Sequence, residues 1–233
     1  HLPIESDPKF MELYKEFEDE GIRQDHGNVT QIDHAFGNLM KALEELGETE
    51  NTFVIFTSDN GPEGNGLKGR TRGSTGGLRE RKRSSHEGGI RVPMGVRWPG
   101  KIKPSTVSDH PWYFPDVMPT LAEATKAECP KTDGLSFLPT LLGKDGQQQH
   151  EFMYWEYNDQ TAVRMKNWKA YQKGKGIWEL YDLAKDIEEK KNVAATNPKI
   201  LEQLVAHAKT SHPPVRPGEI YNRALVTKDH NHA

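Results

Sequence analysis

The segment Ser58-Asp59-Asn60-Gly61-Pro62 sets a carboxylate and an amide oxygen side by side. These are the hard donors that suit Ca²⁺ or Mg²⁺. The segment follows the apolar run Thr52-Phe53-Val54-Ile55-Phe56-Thr57, which is expected to form a buried strand, as in the centre of a parallel sheet. In open α/β sheets ligands bind beyond the carboxyl ends of strands, where Asp59 and Asn60 fall. Neighbouring side chains diverge along a strand, but a turn at Gly61-Pro62 lets these two converge. Ca²⁺ takes roughly six to eight oxygens, so the pair supplies only part of a site. Asp-Asn-Gly-Pro is also good chemistry for a plain turn, and the pentapeptide alone leaves both readings open.

A second candidate is Lys82, which precedes Glu87-Gly88-Gly89-Ile90-Arg91-Val92-Pro93. A lysine can hold an anion as a point charge, and Gly88-Gly89 permits close backbone approach. Residues 68–83 carry seven Arg and Lys against one Glu, which is equally the composition of a solvated basic loop. Other reactive types give weaker signals. Cys129 is the single cysteine, so no intrachain disulfide or cysteine-rich zinc site forms. With no base at informative spacing it reads as inert. The histidines show no metal-ligand signature, and His1 has no context of its own.

These groups need elements to position them. Val29, Ile32, Phe36, Leu39, Met40, Leu43 and Leu46 recur at helical spacing, and Gly47 follows as a C-cap. A helix running into a strand that ends in a polar turn is the rhythm of an α/β layer structure. The Gly-, Arg- and Ser-rich stretch 61–89 is long for a plain connection. Arg91 to Trp98 reads as a second strand stopped by Pro99-Gly100, and a short helix is expected around Val117 to Ala124. From residue 151 the texture changes to short strands at close spacing, around Phe152–Tyr157, Ala162–Met165, Trp168–Tyr171 and Trp178–Tyr181. That pattern predicts a small antiparallel sheet, closed by a helix from about Pro198 to Ala208. The expected division is therefore 1–150 as an α/β portion, 151–210 as an antiparallel subdomain and 211–233 as a tail.

The chain has 233 residues, 34% hydrophobic and 28% charged, a water-soluble balance. Its net charge of −3 offers no field for nucleic acid, and no apolar run approaches the roughly 20 residues of a membrane helix. It opens on His1 rather than Met, which points to processing or to part of a longer protein.

Taken in order, these segments resemble the type I sulfatases, bacterial arylsulfatases in particular, within the alkaline phosphatase superfamily. The resemblance runs through His1-x-Pro3, Gln31-Ile32-Asp33, Phe53 to Pro62, Lys82 with Glu87 to Pro93, Pro119-Thr120-Leu121, Asp133 to Phe137 and Glu179-Leu180-Tyr181-Asp182-Leu183. It implies the carboxy-terminal part of an α/β fold: a mixed, mostly parallel sheet flanked by helices, then a small antiparallel sheet with a packed helix. It further implies that Asp59 and Asn60 bind a divalent cation, Ca²⁺ in preference to Mg²⁺. Lys82 then binds the sulfate, and His1 lies near the leaving-group oxygen. The family's nucleophile, a formylglycine made within a C/S-x-P/A-x-R motif, has no counterpart here. Cys129 is followed by Pro130-Lys131-Thr132-Asp133, with no arginine in place. The chain alone is therefore expected to be inactive and the full-length parent to be the sulfuric ester hydrolase. The implied partner is a sulfated small molecule or glycan, in an exported, periplasmic or extracellular setting, with assembly state open. Two alternatives stay open: a phosphatase or phosphonate hydrolase of the same superfamily, and a non-catalytic binding protein that keeps the fold.

Overall fold

The computed structural model describes residues 5–64 and 73–212. The first helix, α1 (Pro8–Met11), is a single turn packed on the long helix α2 (Glu20–Glu45). Asp19 caps α2 by accepting a hydrogen bond from the Ile22 amide at 3.2 Å. The helix begins well before its apolar stripe, because its first turns are polar and carry no periodic signal. It ends as Gly47 predicts. Gly47 takes φ +71°, its amide donates to Glu44 O, and the Glu48 amide donates to Leu43 O. That paired closure needs a left-handed residue, which glycine adopts without a Cβ penalty.

Phe36 on α2 meets Phe56 of strand β1 (Val54–Thr57), ring centroids 4.9 Å apart. A one-turn helix, α3 (Glu87–Ile90), precedes β2 (Met94–Arg97). Strands β1 and β2 pair antiparallel, Ile55 opposite Val96. The parallel neighbours expected of this strand do not occur among the described residues: there β1 pairs with β2 alone, and Phe56 is 47% exposed. A continuous apolar run does not encode strand direction, and a two-stranded ribbon leaves each strand an unpaired edge. Val29, Ile32 and Leu39 of α2, and Leu46 just past its end, are likewise exposed.

Helices α4 (Val117–Thr125) and α5 (Leu138–Leu141) follow. Buried Asp116 ties this region together, accepting hydrogen bonds from the Tyr113 and Leu135 amides and lying 2.7 Å from His150 Nε2.

The trailing sheet agrees with the sequence pattern. Its strands, β3 (Met153–Tyr157), β4 (Gln160–Met165), β5 (Trp168–Lys173) and β6 (Glu179–Asp182), form an antiparallel meander. Period-two alternation gives it two inward faces. Val163, Ala170 and Leu180 pack against Leu204 and Ala208 of α6 (Pro198–Ser211). On the opposite face lie Ala162, Tyr171 and Tyr181, and that face carries the groups that hold the site. The α/β class and the antiparallel sheet with its packed helix thus match the reading of the sequence.

Candidate functional site

Asp59 and Asn60 sit just past the end of β1, where Gly61 turns the chain against α3. The Gly61 amide donates to Gly89 O at 2.9 Å. A Cβ on Gly61 would overlap the Gly88 carbonyl, so the close approach expected of the Gly88-Gly89 pair is real and extends to Gly61. Gly61→Ala should destabilise the complete protein by about 1–3 kcal/mol, because backbone must move to admit the methyl group. Denaturant unfolding checks this; an unchanged midpoint would show that the turn is looser than described.

The Lys82 amide donates to Pro62 O at 3.0 Å, which brings the lysine directly against the Asp-Asn turn. Asp59, Asn60 and Lys82 line two adjoining cavities, of about 940 and 930 Å³. The Asn60 amide nitrogen donates to Gly61 O at 2.9 Å, which fixes the amide and leaves its Oδ1 as the free donor atom for a cation. Among the described residues neither the Asp59 carboxylate nor the Lys82 ammonium has a hydrogen bond or ion pair. This donor set fits a hard cation, but only in part: no three His, Cys, Asp or Glu among the described residues group as a complete metal site. His1, the remaining sequence candidate, lies outside the described residues.

The loop carrying Lys82 is held against its own preference. Glu80 and Arg83 on either side take φ +60° and +72°, a region that costs non-glycine residues energy unless contacts over-determine it. Those contacts exist. Arg79 donates to Tyr181 Oη at 2.7 Å and to Glu189 O at 2.9 Å. Arg81 donates to Gly73 O at 2.6 Å, Arg83 pairs with Glu63, and Gln160 bridges Arg83 O and the Ser85 amide.

Behind α3 lies a buried ionic cluster that the sequence did not reveal. Lys169 of β5 is fully buried and reaches Glu87 Oε1 at 2.9 Å and Glu189 Oε1 at 3.0 Å. Glu189 itself takes φ +53°, and its second oxygen accepts from the Glu87 amide at 2.7 Å. The His86 ring stacks on Tyr171, and its Nδ1 lies 3.2 Å from Glu189 Oε1 without the alignment of a hydrogen bond. Arg91 closes the cluster through Nε to Glu87 Oε2 at 2.6 Å.

Burial disfavours the charged form of both glutamates. Lys169 and Arg91 beside Glu87, and His86, Lys169 and the Glu87 amide beside Glu189, nevertheless hold both carboxyls below their ordinary value of 4.5. A carboxyl depressed in the folded state stabilises fully above its unfolded value and loses that contribution as pH falls through the folded one. The melting temperature of the complete protein should therefore hold above pH 4.5 and drop below it. Glu87→Gln combined with Glu189→Gln should flatten the drop; an equally steep acid limb in that variant would assign the effect elsewhere.

Residues 1–127 match the sulfatase family, and residues 80–211 match the family described as N-sulphoglucosamine sulphohydrolase, C-terminal. The chain belongs to the sulfatase family. Human arylsulfatase A is 34% identical over 210 residues, covering 76% of this chain and 41% of that protein. N-acetylgalactosamine-6-O-sulfatase of Bacteroides thetaiotaomicron is 33% identical over 201 residues, covering 76% of this chain and 39% of that protein. The crystal structure of Ps i-CgsB superposes with a TM-score of 0.82 at 25% identity, covering 99% of this chain and 52% of that one. This sulfatase chain thus spans about half the length of that structure and less of the curated relatives. Among its described residues no helix is long and apolar enough to cross a membrane.

Proposed function

We propose that this chain forms the carboxy-terminal half of a sulfuric ester hydrolase site, acting on a sulfated small molecule or glycan in the complete protein. One observation carries the reading: in a sulfatase chain, the Lys82 ammonium, unpaired among the described residues, shares a cleft with the oxygens of Asp59 and Asn60. A sulfate ester is an anion, and positive charge fixed where negative charge develops lowers the barrier to its cleavage. Asp59 and Asn60 would hold a divalent cation, Ca²⁺ by preference, with further oxygens from outside this chain. When bound, the cation would polarise a sulfate oxygen. Lys82 binds the anion as a point charge and orients it. His1 is assigned, by resemblance, to proton donation at the leaving oxygen. The nucleophile, a formylglycine in the family, would be supplied outside this chain, since Cys129 lacks the arginine of its motif.

The relative named N-acetylgalactosamine-6-O-sulfatase supports a saccharide among the candidate substrates. The test is turnover by the complete protein of an aryl sulfate against the matching aryl phosphate. Preferential release of sulfate supports the reading. Preference for phosphate transfers the site to a phosphatase, and release of neither leaves a binding protein.

A further inference from the structure

The cleft that holds Asp59, Asn60 and Lys82 does not end at them. Arg91 lines both cavities with these three residues, and Arg164 joins Lys82 and Arg91 in the lining of the larger one. Strand register brings Arg164 to the same buried cluster. It is directly opposite Lys169 across β4 and β5, and antiparallel partners project to one face. Lys169 binds Glu87, and Glu87 binds Arg91.

The charges in this group do not balance. Lys169, Arg91 and Arg164 bring three positive charges against the two carboxylates of Glu87 and Glu189. Both carboxylates are already engaged by Lys169, so the surplus falls on the arginines. Among the described residues each guanidinium is tied down through Nε, Arg91 to Glu87 Oε2 at 2.6 Å and Arg164 to Lys166 O at 2.8 Å. Their terminal nitrogens have no hydrogen-bond partner among the described residues. A guanidinium fixed at Nε presents its outer nitrogens in the planar fork that matches a sulfate or carboxylate. Burial lowers the Arg164 pKa; Glu87 acts to raise it and Arg91 to lower it further, so the two arginines repel across the cleft.

Asp59 and Glu156 line the same cleft but are not paired with either arginine among the described residues. Asp59 belongs to the proposed cation site. Glu156, on β3 but out of register with Arg164, accepts from Tyr154 Oη at 2.9 Å and lies 2.8 Å from His212 Nδ1. Asp109 is exposed at the cleft rim. On the Arg164 face of β3 stand Trp155 and Tyr157, both lining the cleft, and aromatic rings give a flat apolar surface for a sugar ring.

We infer that Arg164 and Arg91 form a second anion subsite in this cleft, selecting saccharides that carry another sulfate or carboxylate beyond the group at Lys82. The inference rests on the sulfatase reading for the first group only, and the subsite itself is defined by binding.

The test uses the complete protein and calorimetric binding of lactose bearing one sulfate against lactose bearing one on each ring. The wild type should bind the disulfated sugar about 10-fold more tightly, the scale of a charge-assisted contact. Arg164→Gln should bring that ratio to about one, and Arg164→Lys, which keeps charge without the fork, should fall between. A ratio that survives Arg164→Gln, equal loss for both sugars, or no preference in the wild type would overturn the subsite. Because no turnover is read, absence of sulfate release from either sugar would count against the hydrolase reading alone.

Discussion

Lys82→Ala should lower kcat/KM of the complete protein for a sulfate ester about 10²–10³-fold, the loss seen when one donor to a developing anion is removed. The side chain invites a clean test. Its ammonium makes no hydrogen bond or ion pair among the described residues and acts on Glu63 only at longer range, so truncation orphans no hydrogen-bond partner among them. The loop around it is fixed by other groups, namely Arg79, Arg81, Arg83 and Gln160. Stability should therefore change by less than about 0.5 kcal/mol, as for substitutions that break no buried contact. Lys82→Arg should recover only part of the rate, since a planar fork does not replace a compact point charge. Steady-state kinetics with a melting curve on the same sample separates the two quantities. Full activity in Lys82→Ala would remove the lysine from the site.

Lys169→Met should have the largest effect on stability, about 3–5 kcal/mol, because it strands two buried carboxylates without their shared cation. Lys169 is fully buried, hydrogen-bonded to Glu87 and ion-paired with Glu189, and Glu189 in turn holds the Glu87 amide. Loss of the cation should also loosen α3, on which the Gly61 turn rests. Converting Glu87 and Glu189 to Gln in the same protein should restore much of the loss, since a cluster without charges carries no unpaired ion. Denaturant unfolding of the single and triple variants measures both. A single variant as stable as wild type would mean that water reaches the cluster.

The contrast between these residues shows what the sequence could convey. Asp59, Asn60 and Lys82 stood out as candidates through local chemistry, but that chemistry suits a plain turn and a solvated basic loop equally, and only the family resemblance joined them into one proposed site. The end of α2 was legible because Gly47 encodes a left-handed residue directly. The trailing sheet and α6 followed from alternation and helical spacing. Lys169, Glu189 and Gln160 carry no such mark. Their partners lie far away in sequence: Lys169 meets Glu87 from β5, and Gln160 meets Ser85 from β4. A buried glutamate at φ +53° has no compositional signature at all. Pairing direction was also illegible, since the run Val54-Ile55-Phe56 suits either a parallel or an antiparallel neighbour, and the structure gives it β2. Arg164 was hidden twice over: its spacing reads as ordinary strand alternation, and only the register with Lys169 relates it to the cleft.

On the proposed reading a cation on Asp59 and Asn60 and an anion on Lys82 occupy one cleft. A crystal structure of the complete protein grown with Ca²⁺ and a slowly cleaved sulfate ester tests it most directly. Ca²⁺ should lie about 2.3–2.6 Å from a carboxylate oxygen of Asp59 and from Asn60 Oδ1, the usual reach of its oxygen ligands. A sulfate oxygen should lie within hydrogen-bonding distance of Lys82 Nζ. A cation bound elsewhere with Asp59 and Asn60 bare, or a sulfate group seated away from Lys82, would contradict it.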